Sequence, residues 1–331
     1  MTAREATYYH VLPDGKVLCT LCPQACHLAE GETGRCRGRM ARGKKLYAAN
    51  YGRISALALD PIEKKPFYHL YPGTKILSVG TVGCNLHCQF CQNWQIAQAD
   101  AETEELSPEE LVDLAVRLQA KGNIGLAYTY SEPLVWFDYL LDTARLAQKR
   151  GLKNVLVTNG YLNPQPLAAL LPYIDGVNLD LKGPDTFYRK YCAAQLAPVL
   201  KTARRLAGSV HLEVTSLLIP GENDRHEDIK ALVHFLAGLD RKIPLHFSKY
   251  FPQYRMENPP TPLATLKEAY QIARKELRYV YLGNIADFQY STTYCPRCKA
   301  VLVERQAYGV KLEGIKDGHC GKCGEEVDFI L

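Results

Sequence analysis

Short β-branched runs recur along the middle of the chain, at 76–82, 124–129, 154–158, 176–181, 211–219, 243–248 and 279–282. Amphipathic stretches long enough for crossover helices separate them. This alternation constrains the fold more than any other feature, because repeated β-α units bury a parallel sheet under helices. The clearest helix begins at Ser107-Pro108-Glu109-Glu110. Ser107 caps it, Pro108 suits the first helical position and Glu110 completes a capping box. Leu111, Leu114, Ala115 and Leu118 form its apolar stripe, and Gly122 ends it. About six such units predict an α/β fold, a partial (β/α)6-type barrel, with its chemistry at the C-terminal ends of the strands.

The run endings agree with that expectation. Cys84 follows the first run, Tyr128-Thr129-Tyr130-Ser131-Glu132-Pro133 closes the second and Thr158-Asn159-Gly160 the third. Asn178-Leu179-Asp180-Leu181-Lys182 closes the fourth and Pro220-Gly221-Glu222-Asn223-Asp224 follows the fifth. His246 and Lys249 lie at the sixth, and Gly283-Asn284 follow the last. Taken singly, each is an ordinary cap or turn, and Asn-Gly pairs are common turn formers. As a series they mark one face.

Cys84, Cys88 and Cys91 share one short loop, Cys-Asn-Leu-His-Cys-Gln-Phe-Cys. Three thiolates hold three irons of a four-iron cluster and leave the fourth iron open, whereas most such clusters are closed by four. The alternative is a structural zinc site with His87 as fourth ligand. The chain carries 12 cysteines, lacks an apolar signal core after Met1 and has no long apolar run. That usage predicts metal ligands in a reducing cytoplasm, not disulfides, and no membrane span. The net charge of +5 does not by itself imply nucleic acid.

The C-x3-C-x2-C spacing resembles the signature of radical S-adenosylmethionine (SAM) enzymes, and the strand endings resemble the pyruvate formate-lyase activating enzyme branch. The resemblance implies a [4Fe–4S] cluster at Cys84, Cys88 and Cys91, with Phe90 shielding it. It further implies reductive cleavage of SAM to a 5′-deoxyadenosyl radical, fed by a flavodoxin- or ferredoxin-like donor. By the same similarity Glu132 meets the SAM ammonium, Asn159 makes a polar contact, Asp180 and Lys182 lie near the ribose and carboxylate, and His246 lies near the adenosine. Tyr130 and Ser131 stand where that branch more often has a glycine pair. Asp180 with Lys182 is alternatively a structural ion pair, and His246 a core histidine. Asp60-Pro61-Ile62-Glu63-Lys64-Lys65-Pro66-Phe67-Tyr68-His69, with the N-terminal cysteines and the Tyr-Thr-Tyr-Ser-Glu-Pro ending, is similar to the radical SAM protein of the AmmeMemoRadiSam system. Hydrogen abstraction from a glycyl residue of a partner protein and modification of a small molecule, peptide or RNA both remain open. A non-catalytic metal scaffold is the third alternative.

Two further cysteine groups flank the repeats. Cys295, Cys298, Cys320 and Cys323 form two C-x2-C knuckles, a zinc-ribbon pattern. Cys19, Cys22, Cys26 and Cys36 suit either zinc or a second iron–sulfur cluster. The expected division is 1–70 as a Cys-rich segment and lead-in, 71–290 as the barrel and 291–331 as the ribbon-like module. Arg35, Arg37, Arg39, Arg42, Lys44 and Lys45 form a basic stretch that reads as a solvated face before a phosphate grip. Cys192, alone in sequence, reads as a buried small hydrophobe.

Overall fold

The computed structural model describes residues 4–331. Its centre is an eight-stranded sheet. The strands are β1 (Ala56–Pro61), β2 (Lys75–Gly80), β3 (Asn123–Tyr128), β4 (Lys153–Thr158), β5 (Gly176–Asp180), β6 (His211–Leu218), β7 (Leu245–Lys249) and β8 (Val280–Gly283). Neighbours in sequence are neighbours in the sheet. Every pairing from β2 to β8 is parallel, while β1 runs antiparallel to β2, Ala56 opposite Gly80 and Pro61 opposite Lys75.

Six helices cover the crossovers: α1 (Pro108–Arg117), α2 (Phe137–Lys149), α3 (Pro164–Leu170), α4 (Leu196–Ala207), α5 (His226–Leu239) and α6 (Leu263–Ala273). The capping box at Ser107 and Glu110 forms in both directions, and Gly122 takes a left-handed conformation, φ +86°, just past the last turn. The fold is thus the expected α/β partial barrel. Strand β1 was not read from the sequence. It belongs to the sheet although it falls on the lead-in side of the 70/71 boundary.

The segment after β1 floors the barrel. Ile62, Phe67 and Leu70 are fully buried against Ile76, Ala127 and Val155. A Cβ on Gly176 would come within 2.5 Å of the Leu70 side chain, so β5 starts on a glycine where the plug presses in. Beyond this apolar layer the interior turns polar, with Asn178 and Glu213 wholly buried and His246 nearly so.

The C-terminal module, with strands Val301–Gln306 and Gly309–Lys311, docks on the outside of that floor. Arg305, fully buried, stacks 4.2 Å from the Tyr68 ring centroid and donates to the Tyr68 carbonyl at 2.6 Å. The Ile330 amide donates to the His69 carbonyl and the Tyr71 amide to the Ile330 carbonyl. No helix among the described residues is long and apolar enough to cross a membrane.

Candidate functional site

β2 ends at Gly80, and the chain then runs without regular structure to a short helix, Trp94–Ala97. Cys84, Cys88 and Cys91 lie on this loop. Two donors face the Cys84 sulfur: the Leu86 amide at 3.4 Å and Asn159 Nδ2 at 3.7 Å. Asn159 Nδ2 also reaches Asn85 Oδ1 at 2.9 Å, and Asn85 Nδ2 donates to the Tyr161 carbonyl at 2.7 Å. Asn159 therefore fixes the cysteine loop as well as lining it. Phe90 is buried and packs on Phe187 with ring centroids 5.4 Å apart.

His87 does not join the three sulfurs. Its Nε2 lies 3.2 Å from the Arg35 carbonyl, and burial lowers its pKa, favouring the neutral ring. Cys192, from the opposite side of the chain fold, does approach. Its carbonyl accepts from the His87 amide at 3.0 Å and its thiol lies beside that of Cys88. No sequence signal places Cys192 there, because the contact is between distant segments.

Glu132 sits behind the loop. Its carboxyl accepts from Thr158 Oγ1 at 2.6 Å, the Asn159 amide at 2.8 Å and the Leu134 amide at 3.0 Å. Burial nevertheless pushes it up to about 7, outweighing those donors. Burial and the Glu132 charge push the Cys84 thiol well above its ordinary value. Three cysteines, Cys88 buried and Cys84 and Cys91 partly so, with amide donors aimed at one sulfur, form a donor set that needs a metal to hold its thiolates, and it fits an iron–sulfur cluster.

Asp180 ends β5 and pairs with Lys182, Nζ to Oδ2 2.8 Å. Burial opposes the Lys182 charge, but Asp180 and the Cys88 sulfur outweigh it and keep the ammonium protonated. This pair faces the cysteine loop, with Lys182 Nζ 6.0 Å from the Phe90 ring centroid.

His246 stands elsewhere. It is the second residue of β7, near the strand's start, and its Nε2 lies 2.6 Å from Glu213. Glu213 also accepts from the Tyr68 and His69 amides at 2.9 and 2.8 Å and meets His211 Nε2 at 3.0 Å. His246 is therefore committed to the floor network, below the strand-end position expected from the sequence.

Tyr130 carries a further constraint. It takes φ +69°, a left-handed conformation glycine adopts freely, at the position where this chain departs from the glycine pair of the branch it resembles. Its hydroxyl donates to Asp60 at 2.8 Å and Lys65 Nζ lies 4.3 Å from its ring centroid. Burial opposes ionisation of Asp60, but hydrogen bonds from Lys65, Lys64 and Tyr130 prevail and hold it well below the usual carboxylate range. A tyrosine thus keeps the turn and ties it to the lead-in.

The outer cysteines differ in spacing. The sulfurs of Cys295, Cys298, Cys320 and Cys323 all lie within 4.8 Å of one another, with Cys295–Cys323 and Cys298–Cys320 each at 3.7 Å. A tetrahedral ion with bonds of about 2.3 Å sets its sulfurs about 3.8 Å apart, so this set could hold one metal ion. Among the described residues it is the one group of three or more such donors gathered this closely. Cys19, Cys22 and Cys36 are buried and Cys26 partly so. A Cβ on Gly34 would lie 3.9 Å from both the Cys26 and Cys36 sulfurs, so those two flank one point. Burial pushes Cys22 up to about 12 and Cys36 up to about 11.

The basic stretch does not converge on a ligand. Arg37 binds the Ala99 carbonyl and Asp100, Arg39 is buried against Asp138 at 2.7 Å, and Lys45 pairs with Glu5 at 2.6 Å.

The Radical SAM superfamily pattern matches residues 78–236. The chain is 42% identical to Uncharacterized protein MJ0808 of Methanocaldococcus jannaschii, covering 99% of this chain and 100% of that one. It is 27% identical to the pyruvate formate-lyase-activating enzyme of Staphylococcus epidermidis, over 60% of this chain and 88% of that one. The structure of SuiB of Streptococcus suis bound to S-adenosylmethionine matches with a TM-score of 0.53 at 15% identity, over 67% of this chain and 55% of that one. At that identity the likeness is one of fold.

Proposed function

The chain belongs to the radical SAM superfamily, and from that premise we propose that it cleaves SAM reductively at a [4Fe–4S] cluster held by Cys84, Cys88 and Cys91. The observation that carries this reading is the loop itself: three cysteines at the C-terminal edge of a parallel barrel, with His87 turned away. Bound there, the cluster and SAM would supply the radical chemistry for hydrogen abstraction from a substrate. The protein's own groups do the rest. Asn159 and the Leu86 amide donate to the Cys84 sulfur, and such donors set cluster potential. Phe90 and Phe187 keep water from the loop. The Lys182 ammonium would receive the SAM carboxylate, and Glu132 would hold the ammonium end as a carboxylate, its proton released to solvent water.

Likeness to a pyruvate formate-lyase-activating enzyme supports a glycyl residue of a partner protein as the hydrogen source; a small molecule, peptide or RNA is the second reading. A flavodoxin- or ferredoxin-like donor supplies the electron in a reducing cytoplasm. The 3.7 Å sulfur spacings support zinc at Cys295, Cys298, Cys320 and Cys323, in a module that caps the floor. The dispersed ion pairs of the basic stretch give no support to nucleic-acid binding.

Anaerobically reconstituted protein given SAM and dithionite should release 5′-deoxyadenosine. Its absence, with the cluster present, would leave only a metal scaffold. Incubation with cell extract in deuterated form should then identify the molecule that exchanges deuterium with 5′-deoxyadenosine, and a glycyl-radical spectrum in a partner decides between the two substrate classes.

A further inference from the structure

The N-terminal cysteines sit against the catalytic loop. The Cys36 carbonyl meets Gly83, the residue before Cys84: a Cβ there would lie only 2.1 Å from that oxygen, and Gly83 has φ +97°. Gln24, between Cys22 and Cys26, donates to the Asn85 carbonyl at 2.8 Å and to the Ala193 carbonyl at 3.1 Å. The Arg35 carbonyl is met by His87. Asn163 Nδ2 donates to the Thr20 carbonyl at 2.7 Å, and its amide to the Leu21 carbonyl at 3.1 Å. The segment thus touches the loop of Cys84 or the strand ends beside it at both its start and its end, through Thr20, Leu21, Gln24, Arg35 and Cys36.

A second observation concerns Arg39. Its side chain is 1% exposed, and two of its nitrogens serve Asp138 and the Thr7 carbonyl. The third, Nε, is buried and has no hydrogen-bond partner among the described residues. Cys19 lies beside this guanidinium. A buried cation with a spare N–H beside a cysteine set is suited to a site of net negative charge. The third observation is spacing. The C-terminal sulfurs close to the dimensions of a single ion, and the Cys19 set does not. A four-iron cluster stands between its thiolates and holds them wider than one ion does.

We propose that Cys19, Cys22, Cys26 and Cys36 hold a second iron–sulfur cluster that relays electrons to the Cys84–Cys88–Cys91 site. The relay function rests on the SAM-cleaving reading above; the cluster assignment does not. One electron from a low-potential ferredoxin- or flavodoxin-type donor enters at the N-terminal site, on the side where Cys26 is partly exposed. The same electron then passes across the Cys36–Gly83 contact. The N-terminal site returns to its oxidised state, and no bond or proton is exchanged in the transfer.

The test begins with the unaltered full-length protein, reconstituted anaerobically. It should carry about eight irons and about one zinc per chain, where about four irons and about two zincs would overturn the assignment. A Cys84→Ala, Cys88→Ala, Cys91→Ala triple variant should keep about half the iron and a reducible paramagnetic signal that SAM leaves unchanged. Loss of all iron there, with zinc taken up in its place, overturns it as well. For the relay, Cys26→Ser should lower the ratio of ferredoxin-driven to dithionite-driven SAM cleavage by about tenfold or more. An unchanged ratio removes the relay. Wild-type protein with the full iron content but no 5′-deoxyadenosine under either reductant would sink the SAM reading and leave the second cluster standing.

Discussion

The two ends of the barrel each carry a four-cysteine group and a buried carboxylate, and they treat them in opposite ways. At the floor, the cysteines close tightly on one another and touch the barrel through Arg305 and Ile330. At the mouth, the cysteines are more open and touch the loop of Cys84 through main-chain contacts. Glu213 at the floor is surrounded by donors from Tyr68, His69, His211 and His246, and Glu132 at the mouth by fewer. The floor carboxylate Glu213 is the more fully satisfied of the two, although Arg305 Nε and Glu63 Oε2 beside it have no hydrogen-bond partner among the described residues. The mouth keeps groups that a ligand or metal would complete.

The largest test of that contrast is a pair of cysteine replacements. Cys88→Ala should remove the SAM-responsive cluster, lowering cluster absorbance by about half, and leave no measurable 5′-deoxyadenosine. Cys298→Ala should leave both largely intact while lowering unfolding stability by about 4 kcal/mol or more, because a structural metal is lost. Loss of the cluster absorbance in Cys298→Ala would show that floor and mouth are one cooperative unit.

A pair of glycines separates the ends next. In Gly83→Ala the new methyl meets the Cys36 carbonyl from a left-handed backbone, a position that neither a rotamer nor a small shift relieves. The expected cost is about 3 kcal/mol or more, read by thermal unfolding, together with weaker iron retention. Gly321→Ala lies beside Cys320, yet its nearest neighbours would be 3.6 Å away. It should stay within about 1 kcal/mol of the parent protein. Equal effects would deny that the N-terminal group is pressed against the catalytic loop.

Much of this arrangement was legible in the sequence. The parallel strands follow from β-branched runs, and the capping box at Ser107 is local chemistry that folding does not alter. Strand β1 escaped notice because Ala56-Leu57-Ala58-Leu59 has neither β-branched residues nor polar alternation; it is a strand only because β2 supplies its hydrogen bonds. The Asp180–Lys182 ion pair, the alternative reading of that motif, forms just past the end of β5, where two residues still bring the ammonium to the carboxylate. Cys192 and the floor commitment of His246 were not legible, since both depend on segments far apart in sequence. Tyr130 shows a third case. The turn demands a left-handed residue, and what lets a tyrosine serve is its tie to Asp60, which only the folded chain reveals.

The carboxylates give opposite pH signatures. Glu132 rises from its ordinary 4.5 to about 7 on folding, so the folded state binds the extra proton between those values. Stability therefore falls as pH rises through that window, by on the order of 3 kcal/mol at 1.36 kcal/mol per pH unit. Glu213 is lowered: burial opposes this, but the hydrogen bonds from His211 and His246 outweigh it. Its contribution is present above about pH 4.5 and is lost on further acidification. Unfolding of the metal-free protein across pH 4–8 should show a maximum near pH 5, and Glu132→Gln should flatten the alkaline side alone. A Glu132→Gln protein that still loses stability from pH 5 to 7 would assign that slope to another group.

The smallest expected effect bears most directly on the open coordination position. Cys192 is wholly buried and its thiol lies beside that of Cys88, so among the described residues it is the cysteine outside the loop best placed to close the site. Its carbonyl is held by the His87 amide behind the loop, which fixes the side chain as a neighbour of one sulfur. A thiol donating to a thiolate tunes it without replacing it. Cys192→Ala should therefore keep the full iron content and slow SAM cleavage by less than about tenfold, with stability lowered by about 1 kcal/mol for the lost sulfur contacts. Cys192→Ser, which restores a donor, should recover part of the rate. A Cys192→Ala protein that loses the cluster would make Cys192 a fourth ligand, and the mouth would then be as closed as the floor.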